Sequence, residues 1–231
     1  MRDEQATIRI DQAKQRLRVR LLAQRRAALA VGTTPATGVP VADPALTSGA
    51  AGRARSGAGE LAARILALPE VAEARCVAAY AGLPGEPDLG DLLDRLLAAG
   101  TRVLLPALRT DLDLDFREHV GTLVPGALGT REPPTAAPLG DLGLADVVII
   151  PALAVDRHGR RLGRGGGSYD RALVRVAADA VVIAVVHDQE LLDHVPTAPH
   201  DRGVDLVVTP SRILRCGPDG ATREHPGPSS G

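Results

Sequence analysis

Hydrophobic positions recur with a helical period from about Ile8 to Leu29, where Leu17, Leu21, Leu22 and Leu29 share one side and Lys14, Arg18 and Arg25 are displaced from it. The pattern predicts a basic amphipathic helix. The period then vanishes, and the Gly-, Ala-, Pro-, Thr- and Ser-rich stretch from Gly32 to Gly59 predicts a flexible insertion over 32–58. A second helix is expected over Gly59–Leu68, stopped by Pro69. From Ala74 onward short apolar runs alternate with helical stretches. Strands are predicted near Cys76–Tyr80 and at Thr101–Leu105, with a helix near Leu89–Ala99 between them. Leu112, Leu114 and Phe116 alternate with acids and read as an edge strand, whose wet side carries Asp111, Asp113 and Asp115. The run Ala145–Pro151 is the clearest buried strand, and Ala180–Val186 and Asp205–Val208 have the same character.

Strands alternating with helices imply right-handed crossovers and a parallel arrangement. The expected fold is α/β, a three-layer Rossmann-like, mainly parallel sheet with helices on both faces, plus an edge strand or hairpin. Residues 1–215 are read as a single domain carrying the 32–58 insertion, and residues 216–231 as a disordered tail.

Composition narrows the function classes. Two tyrosines, one phenylalanine and no tryptophan, with a net charge of −1, leave little for base stacking or phosphate-backbone attraction, so nucleic acid is not an expected partner. No apolar run reaches a membrane span, and Cys76 and Cys216 make no metal or redox spacing. The chain is read as a cytoplasmic monomer whose partners are small molecules. Lys14 is its only lysine, in a chain whose other basic side chains are arginine. A compact ammonium can follow a moving phosphate better than a planar guanidinium fork.

The chemistry concentrates in Arg160–Arg171, where Gly163, Gly165, Gly166 and Gly167 stand among Arg160, Arg161, Arg164 and Arg171, followed by Ser168, Tyr169 and Asp170. Glycines permit φ > 0 and bring successive N–H groups close to a ligand, and a helix starting at Ser168 adds its positive end. Arginine forks add bidentate charge, and Asp170 in the first turn is placed to hold a metal ion. A Walker loop would need Lys after the glycines, and a dinucleotide fingerprint would need glycine at 168; neither fits. In an open α/β sheet this loop, after the strand ending at Ile150, and the loop His187–Arg202 with His200 and Asp201 open on the same edge.

Here the chain resembles the 5-formyltetrahydrofolate cyclo-ligase (methenyltetrahydrofolate synthetase) family over nearly its whole length apart from 32–58 and the two ends. The likeness rests on Pro151-Ala-Leu-Ala-Val-Asp156-x-x-Gly159-x-Arg161-Leu-Gly163-Arg164-Gly-Gly-Gly-Ser168-Tyr169-Asp170-Arg171. Lys14 with Arg18, Glu86, and Pro199-His200-Asp201 match in order. The resemblance implies an ATP-dependent reaction in which the formyl oxygen is phosphorylated and ring closure then expels phosphate. It implies that Lys14, Arg18, Arg161, Arg164 and the Gly163–Ser168 loop with Tyr169 and Asp170 hold the nucleotide, Lys14, Arg161 and Arg164 acting on the transferring phosphoryl group. It further implies that Glu86 and Tyr169 contact the folate, and that Asp170 and Asp201 serve a Mg²⁺ site. One departure is Ser168, where the family often has an aromatic, which leaves Tyr169 alone against the pterin. Two other readings stay open: a sugar-phosphate isomerase or acyl-CoA transferase on a similar sheet, and a non-catalytic folate or nucleotide-binding module.

Overall fold

A computed structural model of the chain describes residues 2–32, 48–198, 201–217 and 223–225. The apolar runs become strands β1 (Cys76–Ala78), β2 (Arg102–Leu108) and β3 (Leu114–Glu118), followed by the short β4 (Val124–Pro125), β5 (Arg131–Glu132) and β6 (Leu139–Gly140). They continue with β7 (Val147–Pro151), β8 (Ala154–Asp156), β9 (Arg161–Leu162), β10 (Val181–Val185) and β11 (Leu191–Leu192). The last are β12 (Leu206–Val208), β13 (Ile213–Arg215) and β14 (Arg223–His225). Nine of them form one sheet in the order β14-β13-β12-β10-β7-β1-β2-β3-β6. Its inner pairs are parallel, and antiparallel pairs extend it at both edges.

β7 lies at the centre of the sheet, which is why it reads as a continuous apolar run. Its alternate residues face opposite layers. Val147 and Ile149 pack with Leu61 and Ile65 of α2 (Ser48–Leu66, after α1, Arg2–Gly32), and with Val71 of α3 (Pro69–Ala72) and Leu92 and Leu96 of α4 (Gly90–Ala98). Val148 and Ile150 pack on the other face with Ala172 and Leu173 of α5 (Ser168–Leu173). The expected α/β architecture is therefore present. A third cluster joins α1 to the segment after β7, where Leu21 is buried with Leu153, Ala154, Leu162 and Val195.

Four local expectations are corrected. α2 begins at Ser48, so the last part of the 32–58 stretch is helical while 33–47 lies outside the described residues; Ala and Arg are good helix formers, and extending a helix costs far less than nucleating one. Within the expected unstructured tail, Arg223–His225 pairs with β13. β3 is not outermost, because β6 pairs beyond it. The glycine-rich loop does not follow β7 directly: β8 and β9 form an antiparallel hairpin between them, and strands of two or three residues are too short to show a period.

That hairpin is turned by Asp156 and Gly159. Asp156 is fully buried and accepts hydrogen bonds from the backbone N–H groups of His158, Arg160 and Val195 at 3.0, 3.2 and 2.8 Å. Gly159 sits at φ +75°, and an added Cβ would stand 2.2 Å from the Val204 carbonyl oxygen. Gly159→Ala is expected to destabilise the fold by roughly 2 kcal/mol or more, from left-handed strain plus the clash. Thermal melting checks this, and an unchanged midpoint would show that the turn can move aside.

Candidate functional site

The loop from Gly163 to Gly167 joins β9 to α5, and Gly165 and Gly167 adopt φ +106° and +68°. Gly167 forms the left-handed N-cap of α5. Two neighbours fasten this loop. Arg18 of α1 donates from Nε to the Gly163 carbonyl at 3.0 Å. Ser168 Oγ and Arg171 Nη2 both donate to the Leu112 carbonyl at 2.6 Å. The Ser168 hydroxyl thus ties α5 to the turn between β2 and β3, a tethering use the sequence does not advertise.

Lys14, Arg18, Leu21 and Arg25 follow one another at helical spacing, so they share one stripe of α1. The stripe is not solvated. Lys14 and Arg25 are only 5% and 6% exposed. This corrects the expectation that the basic positions are displaced from the packed side: burial of α1 follows its ion pairs as much as its leucines, and Leu29 is 42% exposed. Lys14 Nζ meets Asp201 Oδ2 at 2.5 Å, and the same oxygen accepts from Ala198 N at 2.6 Å. Arg161, also buried, is paired with Asp170. Each carboxylate expected at a metal site therefore faces a cation. Among the described residues no group of three or more His, Cys, Asp or Glu side chains is placed to hold a metal ion by itself. His200 lies outside the described residues.

Glu86 comes from the loop after β1. Its Oε2 accepts from Leu83 N at 3.0 Å and its Oε1 from Arg164 Nε at 2.9 Å, the latter bridging to the glycine-rich loop. Tyr80, almost fully buried, donates to the Pro87 carbonyl at 3.2 Å. Burial, reinforced by the nearby charge of Glu86, pushes the phenols of Tyr80 and Tyr169 well above the ordinary tyrosine value. Both stay neutral O–H groups in physiological conditions.

Lys14, Arg18, Glu86, Arg161, the segment Gly163–Asp170 and Asp201 all line one cleft of about 680 Å³. The residues singled out from the sequence are thus brought together from α1, the loop after β1, the glycine-rich loop and the segment before β12. The rest of the lining was not legible: it comes from Pro106, Leu108, Leu112 and Leu114 around the β2–β3 turn, with Leu128 and Thr130–Glu132. Arg25 and its partner Glu190 were also missed, although the spacing of Arg25 from Lys14 and Arg18 was available. A cleft whose lining combines a cationic, glycine-rich loop with apolar side chains suits a ligand pair of which one is polyanionic and the other carries a flat ring.

Comparison with known proteins agrees with the resemblance read from the motif. The model of the 5-formyltetrahydrofolate cyclo-ligase family matches residues 10–210. The 5-formyltetrahydrofolate cyclo-ligase of Mycolicibacterium smegmatis is 51% identical over 145 residues, covering 60% of this chain and 75% of that protein. The Escherichia coli K12 cyclo-ligase is 34% identical over 164 residues, covering 67% of this chain and 88% of its own. Among solved structures, 5,10-methenyltetrahydrofolate synthetase of Aquifex aeolicus superposes with a TM-score of 0.68 at 24% identity, covering 88% of this chain and 92% of that one. At that identity the superposition speaks for the fold alone. Among the described residues no helix is long and apolar enough to cross a membrane.

Proposed function

Because the chain belongs to the 5-formyltetrahydrofolate cyclo-ligase family, we propose that its cleft closes 5-formyltetrahydrofolate to 5,10-methenyltetrahydrofolate, consuming ATP with Mg²⁺ and releasing ADP and phosphate. The observation that carries this reading is the convergence of Lys14, Arg18, Arg161 and the glycine-rich loop with Glu86 and Tyr169 in one cleft.

An N5-formyl carbon is amide-like and a poor electrophile. Its oxygen attacks the γ-phosphorus of ATP, the bond to the bridging oxygen breaks, and ADP leaves. The phosphorylated formyl carbon is then attacked by N10; the C–O bond breaks, phosphate carries away the oxygen, and the N10 proton is lost as the methenyl bridge forms. Little covalent chemistry falls to the protein, so positioning and charge neutralisation dominate. Lys14 and Arg161 supply positive charge at the phosphates, and Arg18 keeps the Gly163 end of the loop in place through its carbonyl. Glu86 and Tyr169 face the folate, one as an acceptor for ring N–H groups and the other as a wall.

Asp170 and Asp201 present hard oxygen donors to the cleft, which suits an ion that Mg²⁺-style sites share between one or two carboxylates and substrate phosphates. Bound there, Mg²⁺ would neutralise phosphate charge. The same two carboxylates hold Lys14 and Arg161 in register.

The test mixes purified protein with 5-formyltetrahydrofolate and follows methenyl absorbance with ATP and Mg²⁺ present or each withheld. Signal only with all three is expected. Nucleotide binding without any signal would overturn turnover in favour of a binding module.

A further inference from the structure

We infer that Arg25, locked by Glu190, is a positioning residue for Glu86, an inference that rests on the cyclo-ligase reading above. Arg25 is 6% exposed. Its Nε donates to Glu190 Oε1 at 2.6 Å, and its Nη2 donates to Glu190 Oε2 at 2.8 Å and to the Ala152 carbonyl at 2.6 Å. Glu190 is itself fixed, accepting from His187 N at 2.9 Å. A guanidinium is planar, so these contacts also dictate where its remaining arm points.

That arm is Nη1. It is buried and makes no hydrogen bond, and it faces Glu86 Oε1 at 3.8 Å. A buried donor without a hydrogen bond calls for an explanation, and the cleft provides one. The Glu86 carboxylate stands between two arginines of opposite character: the Arg25 side chain is 5% exposed, whereas that of Arg164, on the glycine-rich loop, is 42% exposed. Arg25 and Glu190 balance each other, so Arg164 is the partner that offsets Glu86. When Arg164 turns toward a phosphate, Glu86 loses its 2.9 Å contact. Arg25 Nη1 is then the donor already in place to receive Oε1, and the carboxylate stays aimed at the folate.

The test replaces Arg25 and Glu190 by Met together, which removes both charges and keeps the volume; paired replacement of a buried ion pair is commonly tolerated. Melting temperature, the dissociation constant and KM for 5-formyltetrahydrofolate, the KM for ATP and kcat are measured. The expected result is a folded protein whose folate dissociation constant and KM rise about tenfold while the KM for ATP is unchanged. Placed on Glu86→Gln, the same pair of changes is expected to add no further loss, since both act through one carboxylate. Should the double variant not fold, Arg25→Lys serves, because an ammonium can still meet Glu190 but offers no second fork arm. Wild-type folate affinity in either folded variant, or a full additional loss on Glu86→Gln, overturns the inference. If the wild-type protein itself neither binds 5-formyltetrahydrofolate nor yields the methenyl chromophore, the cyclo-ligase reading falls and this role with it. Wild-type turnover with unaltered variants removes Arg25 alone.

Discussion

Lys14→Ala is expected to lower ATP-dependent kcat/KM by about two to three orders of magnitude, the usual consequence of removing one preorganised cationic or hydrogen-bonding donor from a developing charge. No second lysine exists to take over, and the arginines nearby already have partners: Arg161 is paired with Asp170 and Arg18 with the Gly163 carbonyl. Burial adds a second consequence that an exposed helix position would not have. The Lys14 and Asp201 side chains are 6% and 13% exposed, so alanine removes the cation that meets a nearly enclosed carboxylate, which also accepts from Ala198 N. A stability loss of about 1–3 kcal/mol follows from taking the counter-charge away from such a carboxylate. Circular dichroism melting and initial rates, taken at a temperature where the variant is fully folded, separate the two. A folded Lys14→Ala protein with an unchanged rate would remove Lys14 from the phosphate site. Lys14→Arg is expected to recover part of the stability and little of the rate, since a planar fork does not fit a pocket shaped for an ammonium at 2.5 Å from its carboxylate.

The same burial explains which parts of the molecule the sequence discloses. β7 and β10 are legible because strands covered on both faces must be continuously apolar. The glycine-rich loop is legible because Gly165 and Gly167 take positive φ, a requirement that few other residues meet. Residue type carries the rest of the cationic side of the cleft, through a lone lysine and clustered arginines. What stays hidden depends on pairing across long sequence separations. Lys14 and Arg25 look like solvated helix positions until Asp201 and Glu190 are brought to them by the sheet, because a helical wheel classes a charge as outward-facing whether or not a partner waits inside. The β8–β9 hairpin escapes for a different reason: its registration is set by Asp156 and Gly159 at the turn, not by any alternation in strands of three and two residues. The apolar lining from Pro106, Leu108, Leu112 and Leu114 is likewise invisible, since in sequence it is merely the end of one strand and the start of another.

Asp170→Asn is expected to raise the Mg²⁺ concentration needed for half-maximal rate by roughly ten- to a hundredfold, the range seen when a metal site loses a carboxylate that binds or orients it. The variant keeps the shape of the side chain and one acceptor oxygen, removes the charge, and turns the other oxygen into an NH2 donor. Two effects then have to be told apart. Arg161, whose side chain is 3% exposed, has Asp170 as its ion-pair partner, and its Nε is buried without a hydrogen bond. Asparagine leaves that guanidinium without a counter-charge, which costs on the order of 2–4 kcal/mol for a buried pair, less where Asp170 itself is partly open to solvent. A protein that is merely destabilised loses rate in proportion to its unfolded fraction, and added Mg²⁺ does not restore it. A protein that has lost a carboxylate from the ion's surroundings recovers rate as Mg²⁺ is raised, at a temperature where melting shows it folded. An identical Mg²⁺ dependence in wild-type and Asp170→Asn proteins would take Asp170 out of the metal site and leave it as the partner of Arg161. Asp201→Asn supplies the matching comparison on the Lys14 side: a shift of the Mg²⁺ curve in both variants is the pattern expected if the two carboxylates share one ion with the nucleotide phosphates, because each then contributes to the same charge balance.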